Sequence, residues 1–415
     1  MDKTALFETL DKWYSEHRIE NVPYWIKQSY LYKKLDEFPK DLFSQEVVGE
    51  STEQRPIRLL TLGNGPTPVL MWTQMHGDEP TATRALLDMF ALIQQHKESD
   101  IIQPIVQNLT LYILPILNPD GAERFTRRTA LGIDMNRDAL AFKTPEGRIL
   151  KSVRDKYNTG WAYSLHDQLP RYTAGGTGNA AGISLLSAAS DWDVTLTDIR
   201  RDTMRLASSV AEYVQYIIPG QIGRYDDAYE PRAFGDRLHL WGTRNVLIES
   251  GYIPRDRYKE TIRKANAIAV LGSLYHLAKD DLPSDDLYHS LPVNRRYFAE
   301  YIFKNPAVSI NGVHTGSQDV AFHLEQIADN NASTVSFKLI LTDLGDCSPY
   351  TGSYIFEGPK LQIRFSTDPG SVSQLPVMEE YANCEIIDDE TGKRLVIKEG
   401  IPDGNPEVTF RNLLK

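Results

Sequence analysis

The chain has 415 residues, more than one average domain, and its 41% hydrophobic and 24% charged residues are the balance of a soluble globular protein, which excludes a disordered chain. A formal charge of −11 argues against a nucleic-acid surface, which gathers Lys and Arg to displace counterions from phosphates. Residues 1–20 are charged throughout and no later run has the length of a membrane span, so a soluble cytoplasmic protein with no nucleic-acid and no membrane partner is expected.

Between residues 45 and 118, β-type runs alternate with turns and one helical stretch. Residues 69–74 and 109–117 are nearly continuous apolar strands, the pattern of a sheet covered by helices on both faces. Pro80 opens a helix over 81–95, with Leu86, Leu87, Phe90 and Ile93 near helical spacing. Further strands are expected at 162–165, 183–187 and 245–248, and helices at 196–218 and 258–278. Asp, Pro and Ser crowd 280–296, which marks a boundary between a first domain, 1–285, and a second, 290–415. Beyond it, 334–341, 360–365 and 384–387 gather β-formers between turns, suggesting a small antiparallel β-rich domain without chemistry of its own. Cys347 and Cys384 have no Cys or His at zinc-knuckle spacing and are expected to be two buried thiols.

Ligands collect beyond the carboxyl ends of strands in open α/β sheets, and here those ends carry His76, Asn118, His166 and Glu249. His-x-x-Glu suits zinc, which accepts imidazole and carboxylate and leaves a position open for water in catalytic sites. The pattern occurs twice. His17 and Glu20 fall in a polar helical segment and read as a solvated face, whereas His76 and Glu79 follow a buried strand through Gly77, where the backbone can turn tightly. Among the remaining histidines, His166 is the best third ligand because it ends a strand; His96, His239, His276, His289, His314 and His323 lie on expected helices, in loops or in the β-rich domain.

The ordered set Gly49-Glu-Ser51, Arg55-Pro-Ile57, His76-Gly-Asp-Glu79, Asn118-Pro-Asp-Gly121, Arg127-Arg-Thr129, Asp134-Met-Asn136-Arg137, His166-Asp167 and Glu249-Ser-Gly251 resembles the zinc metallocarboxypeptidases related to carboxypeptidase A. The resemblance covers about residues 45–278. It implies a mixed, mostly parallel central sheet in an α/β fold, one Zn2+ on His76, Glu79 and His166, and hydrolysis of a C-terminal amide bond by a zinc-bound water. Glu249 matches the family's general base and Arg127 the arginine that steadies the oxyanion. Asn136 and Arg137 match the pair that anchors a terminal carboxylate, and Asp134 the acid that orients a ligand imidazole. Arg124 and Arg128 compete for the role given to Arg127. Tyr225 and Tyr229 are both candidates for the tyrosine near the leaving group; Tyr229 is taken.

The interval from Glu79 to His166 looks shorter than in the digestive members and closer to the aspartoacylase and desuccinylase branch. The partner is therefore a peptide or an acylated amino acid with a free carboxylate. The alternatives to a carboxypeptidase are an acylamino-acid deacylase and a catalytically silent binding protein. Preferred side chain and oligomeric state are not legible.

Overall fold

A computed structural model describes residues 2–330, 334–366 and 376–403. The chain separates into two compact units. The first comprises residues 1–169, 181–252 and 256–294, and the second takes 170–180, 253–255 and the chain from Arg295 onward. The division at 294/295 therefore falls inside the 280–296 stretch marked by composition, a few residues beyond the start of the expected second domain, 290–415, and two short excursions of the first stretch belong with the second unit.

The first unit runs α1 (Lys3–His17), α2 (Gln28–Leu35), β1 (Ser44–Glu50), β2 (Pro56–Leu62), β3 (Thr67–Trp72), α3 (Thr81–Gln95), α4 (Ile102–Asn108), β4 (Leu109–Leu114) and α5 (Pro119–Arg124). It continues with a 3-10 turn (Met135–Arg137), α6 (Pro145–Tyr157), β5 (Trp161–Asp167), β6 (Ile183–Ser187), α7 (Asp198–Ile217) and β7 (Ile222–Arg224). The last elements are α8 (Phe234–Leu240), β8 (Arg244–Ser250), α9 (Glu260–Ala278) and α10 (Asp286–Ser290). No helix of the described residues is long and apolar enough to cross a membrane.

Its strands form one mixed sheet in the order β1-β2-β4-β3-β5-β8-β6-β7, parallel through the central four and antiparallel at β1/β2, β2/β4 and β8/β6. Period-2 alternation explains why these strands are apolar throughout. Leu70, Trp72 and Ala162 pack with Ile149, Leu150 and Val153 of α6 and Phe234 and Leu238 of α8. From the opposite face of β5, Tyr163 Oη meets Ser273 Oγ of α9 at 2.9 Å. The expected α/β sheet with helices on both faces is thus present.

The expected strands overrun at their carboxyl ends, where β3 stops at Trp72 and β4 at Leu114. Gln74 is left-handed (φ 44°), and Thr73 Oγ1 donates to Pro115 O, so both chains leave the ladder as irregular but hydrogen-bonded tails. Gly77 has no room for a side chain, since a Cβ there would lie 1.9 Å from the Gly121 carbonyl carbon. Close backbone approach, more than conformational freedom, is what this glycine supplies. Helix α1 is the polar helical segment expected to carry His17, and it buries Leu6, Leu10, Trp13 and Tyr14, whereas α2, α4 and α6 go beyond the helices the sequence predicts.

In the second unit, β9 (Phe298–Lys304), β10 (Ala307–Ile310), β11 (Val313–Ser317), β12 (Asp319–Asp329), β13 (Thr334–Gly345), β14 (Thr351–Glu357), β15 (Leu361–Phe365), β16 (Cys384–Asp388), β17 (Arg394–Lys398) and β18 (Ile401–Pro402) build two sheets. Their orders are β11-β10-β15-β16-β17-β18 and β13-β12-β9-β14. One apolar cluster, including Phe303, Val320, Phe322, Leu339, Ile363 and Ile386, joins strands of both sheets. The unit is β-rich as expected but not purely antiparallel, because β10/β15 and β9/β14 pair in parallel. Long connections permit such crossovers, which short hairpins cannot make. Cys347 and Cys384 are both free and buried.

Within this unit Thr173 N donates to Arg295 O (2.8 Å), Phe298 N to Arg171 O (3.1 Å), and Arg171 pairs with Glu379. A chain ended at Asn294 is expected to leave 170–180 without these partners, so limited proteolysis should cut there first while the remaining fragment stays folded. Uniform degradation of that fragment would show instead that the first unit depends on the second.

Candidate metal centre

The cluster is assembled from chain segments that meet at the carboxyl ends of β3, β5 and β8. Beyond β3, Gly77 N donates to Thr126 O, Gln74 Nε2 donates to Gly77 O, and Asn118 Nδ2 donates to Met75 O. These bonds set the turn that presents His76 and Glu79. Asn118 Oδ1 also caps α5 by accepting from Gly121 N at 2.9 Å, so the Asn-Pro-Asp-Gly motif is structural support for the site.

His76, Glu79 and His166 are buried, and one ligand atom from each lies within 4.8 Å of the others. His76 Nδ1 is 2.7 Å from Glu79 Oε1, and His166 Nδ1 is 2.8 Å from Glu79 Oε2. The other nitrogen of His76, Nε2, lies 3.1 Å from Asp134 Oδ1, which leaves Nδ1 as the inward atom. His17 instead ends α1, and Glu20 pairs with Arg18 at the surface. Of the other histidines, His239, His276 and His323 are buried packing residues and none joins a metal-binding group among the described residues.

Glu249 is the register partner of His166 across the parallel β5/β8 ladder. Register partners on adjacent strands lie about 5 Å apart and face the same side. Its Oε2 is buried and has no hydrogen-bond partner among the described residues.

Electrostatics follow from this crowding. For His76, burial works against the charged ring, but the Glu79 carboxylate and the bond to Asp134 prevail and raise its pKa to about 9. Burial would raise Glu79, yet the two imidazoles hold it well below the usual carboxylate range. His166 is lowered, chiefly by burial. Asp134 lies below its ordinary value because His76 and Arg127 overcome its burial. Glu249 is pushed up to about 8 by burial and then by the negative charges of Glu79 and Asp167.

Arg127 faces the cluster, with Nη1 3.2 Å from Glu79 Oε1 and Nε donating to Asp134 Oδ2 at 3.1 Å. Its competitors point elsewhere: Arg124 donates to Asp120 O and pairs with Glu53, and Arg128 donates to Gly132 O. Asn136 N donates to Asp134 Oδ1, and Asn136 Oδ1 accepts from Phe234 N at 2.9 Å. Arg137 follows on the surface and its Nε lies 3.2 Å from Glu230 Oε2. Glu230 was not anticipated, because nothing in its spacing sets it apart from other loop acids. Tyr225 packs with Leu186, Ala188 and Leu247, while the Tyr229 ring meets Trp192 edge-on at 5.1 Å. Tyr229 thus lies next to Glu230 in sequence, and its ring contact among the described residues is with Trp192.

Residues 29–192 match the family model described as zinc carboxypeptidase. Carboxypeptidase SOL1 of Arabidopsis thaliana is 33% identical over 98 residues, 22% of this chain and 20% of that protein. Human carboxypeptidase O is 26% identical over 165 residues, 31% of this chain and 44% of its own. The alignments therefore span less than half the length of these relatives. Among solved structures, a metallo-carboxypeptidase from Burkholderia cenocepacia superposes with a TM-score of 0.50 at 18% identity, covering 61% of this chain and 70% of that one, which shows the shared fold. The matched residues contain His76, Glu79, Arg127, Asn136, Arg137 and His166, whereas Glu249 lies beyond them. The likeness to the zinc carboxypeptidase family thus rests on residues 29–192 of this chain.

Proposed function

We propose that this protein is a zinc-dependent metallocarboxypeptidase that releases the C-terminal residue of a peptide or modified peptide carrying a free carboxylate. The observation that carries the reading is the meeting of two imidazole Nδ1 atoms on one buried carboxylate, beside an unpartnered glutamate oxygen. His76, Glu79 and His166 are the donor set that zinc takes, with both Nδ1 atoms turned inward. Zinc, when bound, supplies Lewis-acid polarisation and lowers the pKa of water to about 7.

The chain's own groups do the rest. Glu249 Oε2 takes the proton of the attacking water and returns it to the departing amine. Arg127 stays charged beside Glu79 and Asp134 and offers N–H groups to the oxygen that gains charge. Asp134 keeps His76 in the tautomer whose Nδ1 points inward. Arg137, on a turn tied to Phe234 by Asn136, holds the terminal carboxylate of the substrate.

Anchoring gives the direct test. Arg137→Ala and amidation of the substrate's terminus should each lower kcat/KM by at least about tenfold, and together be clearly less than additive. A panel of dipeptides, their amides and acyl-amino acids checks this. Equal turnover of acid and amide would refute the exopeptidase reading, and turnover of acyl-amino acids alone would favour a deacylase.

Metal binding should also depend on pH in a defined direction. The metal-free protein keeps a proton on His76 up to about pH 9, against an ordinary value of 6.5, and zinc needs the neutral ring. Apparent zinc affinity should therefore fall by about tenfold per pH unit below the raised pKa. The proton's own stabilisation is complete below pH 6.5 and is lost as pH rises through about 9, so the metal-free protein should lose stability over that window. Chelator competition and thermal melts between these limits check both; flat profiles would show that His76 is already neutral.

A further inference from the structure

One buried lysine outside the groups named so far touches both strand ends that carry the site. Lys259 immediately precedes α9 in a left-handed backbone conformation (φ 53°), and its side chain is 5% exposed. Its Nζ lies 3.0 Å from Asp167 Oδ2 and 2.9 Å from Ser250 O. Asp167 and Ser250 are the last register pair of β5 and β8. Each directly follows a site residue, His166 and Glu249.

The contacts extend further on both sides. Asp167 N donates to Glu79 Oε2 at 3.1 Å, and Asp167 Oδ2 also accepts from Thr81 Oγ1 at 2.5 Å. Ser250 O accepts from Gln168 N as well, and Ser250 Oγ from Asn266 Nδ2 of α9. The ammonium therefore joins the segment that holds His166 and Glu79 to the segment that holds Glu249. A left-handed lysine is an uncommon backbone state, and a buried ion pair rarely gives net stability over apolar packing. Both features fit a residue kept for where it places its charge.

We propose that Lys259 is a positioning residue for the hydrolytic site, locking the ends of β5 and β8 so that Glu249 stands in a set relation to His166 and Glu79. The proposal rests on the reading of Glu249 as proton acceptor and of His166 as zinc ligand. Lys259 touches no substrate. Its effect reaches the reaction through the Asp167 carboxylate and the Ser250 carbonyl.

The test uses the full chain loaded with zinc. Lys259→Met alone leaves Asp167 buried without its cation and can fail to fold, so the deciding variant is Lys259→Met with Asp167→Asn, which removes both charges. Melting temperature, zinc dissociation constant by chelator competition, kcat and KM for a dipeptide are measured together. Expected for the double variant is a melting temperature close to wild type, with zinc affinity and kcat each lowered roughly tenfold or more and KM changed by less than about twofold. Wild-type affinity and kcat in that variant would overturn the proposal, and so would failure of the double variant to fold, because the lysine would then be holding the fold and not the site. A wild-type protein that binds no zinc would remove the underlying reading, and this inference with it.

Discussion

Glu249→Gln is expected to keep the fold and the zinc and to lose roughly 10²–10⁴-fold in kcat, the usual contribution of a positioned general base. The amide has nearly the same shape, so β8 and its register with β5 should be undisturbed, but it cannot accept a proton. Glu249 Oε2 has no partner to lose among the described residues, which makes the substitution unusually clean. A second readout concerns the metal-free protein. There the carboxyl titrates near 8 against an ordinary 4.5, so the native state binds more protons than the unfolded one between these values. Its contribution to stability is present below pH 4.5 and is lost as pH rises through about 8, and the glutamine variant should lack that component. Zinc content by metal analysis, initial rates and melts across pH decide the matter. Wild-type turnover would take Glu249 out of the mechanism.

His166→Ala is expected to abolish stoichiometric zinc, with more than about 100-fold loss of affinity, and hydrolysis with it. Three protein ligands are what a catalytic zinc site uses, and two leave the ion weakly held. The comparison is Asp134→Ala, which removes the bond to His76 Nε2 but no ligand, and which should weaken zinc by roughly 10–100-fold. Asp134 also accepts from Arg127, so this variant frees the guanidinium and should lower kcat beyond the effect on metal at saturating zinc. Equal zinc affinity in wild type and His166→Ala would sink the ligand assignment. Wild-type zinc affinity in Asp134→Ala would show that ring orientation does not limit binding.

Much of the candidate site was legible because the grouping of His76, Glu79 and His166 is marked in local context. His76 and Glu79 follow an apolar strand at a turn with Gly77, whereas His17 and Glu20 sit on a polar helix, and that contrast separates two identical spacings. His166 and Glu249 end short β-type runs, and strand ends in an open sheet are where ligands gather. The alternation of apolar strands with helical stretches likewise marks the layered α/β architecture. Local pattern could do this because burial on both faces leaves a mark in every residue of a strand.

Other features depend on which segments fold against each other, and residue order carries no trace of that. The choice of Arg127 over Arg124 and Arg128 is one, since all three are alike in sequence and only the turn beyond Phe125 aims one of them at Glu79. Glu230 on Arg137 is another, joining positions far apart through the loop after β7. The parallel pairs β10/β15 and β9/β14 escaped the reading of the second unit because their partners are separated by long connections, and β-type runs look the same in either direction. Lys259 is the sharpest case. By itself it is one lysine before a helix, and it becomes a bridge between Asp167 and Ser250 only because parallel register sets those two residues side by side and α9 returns its first turn to that spot. The sequence determined which groups are candidates for the proposed chemistry; the tertiary fold decided their distances, their partners and the direction of their pKa shifts, because those depend on through-space burial and charge.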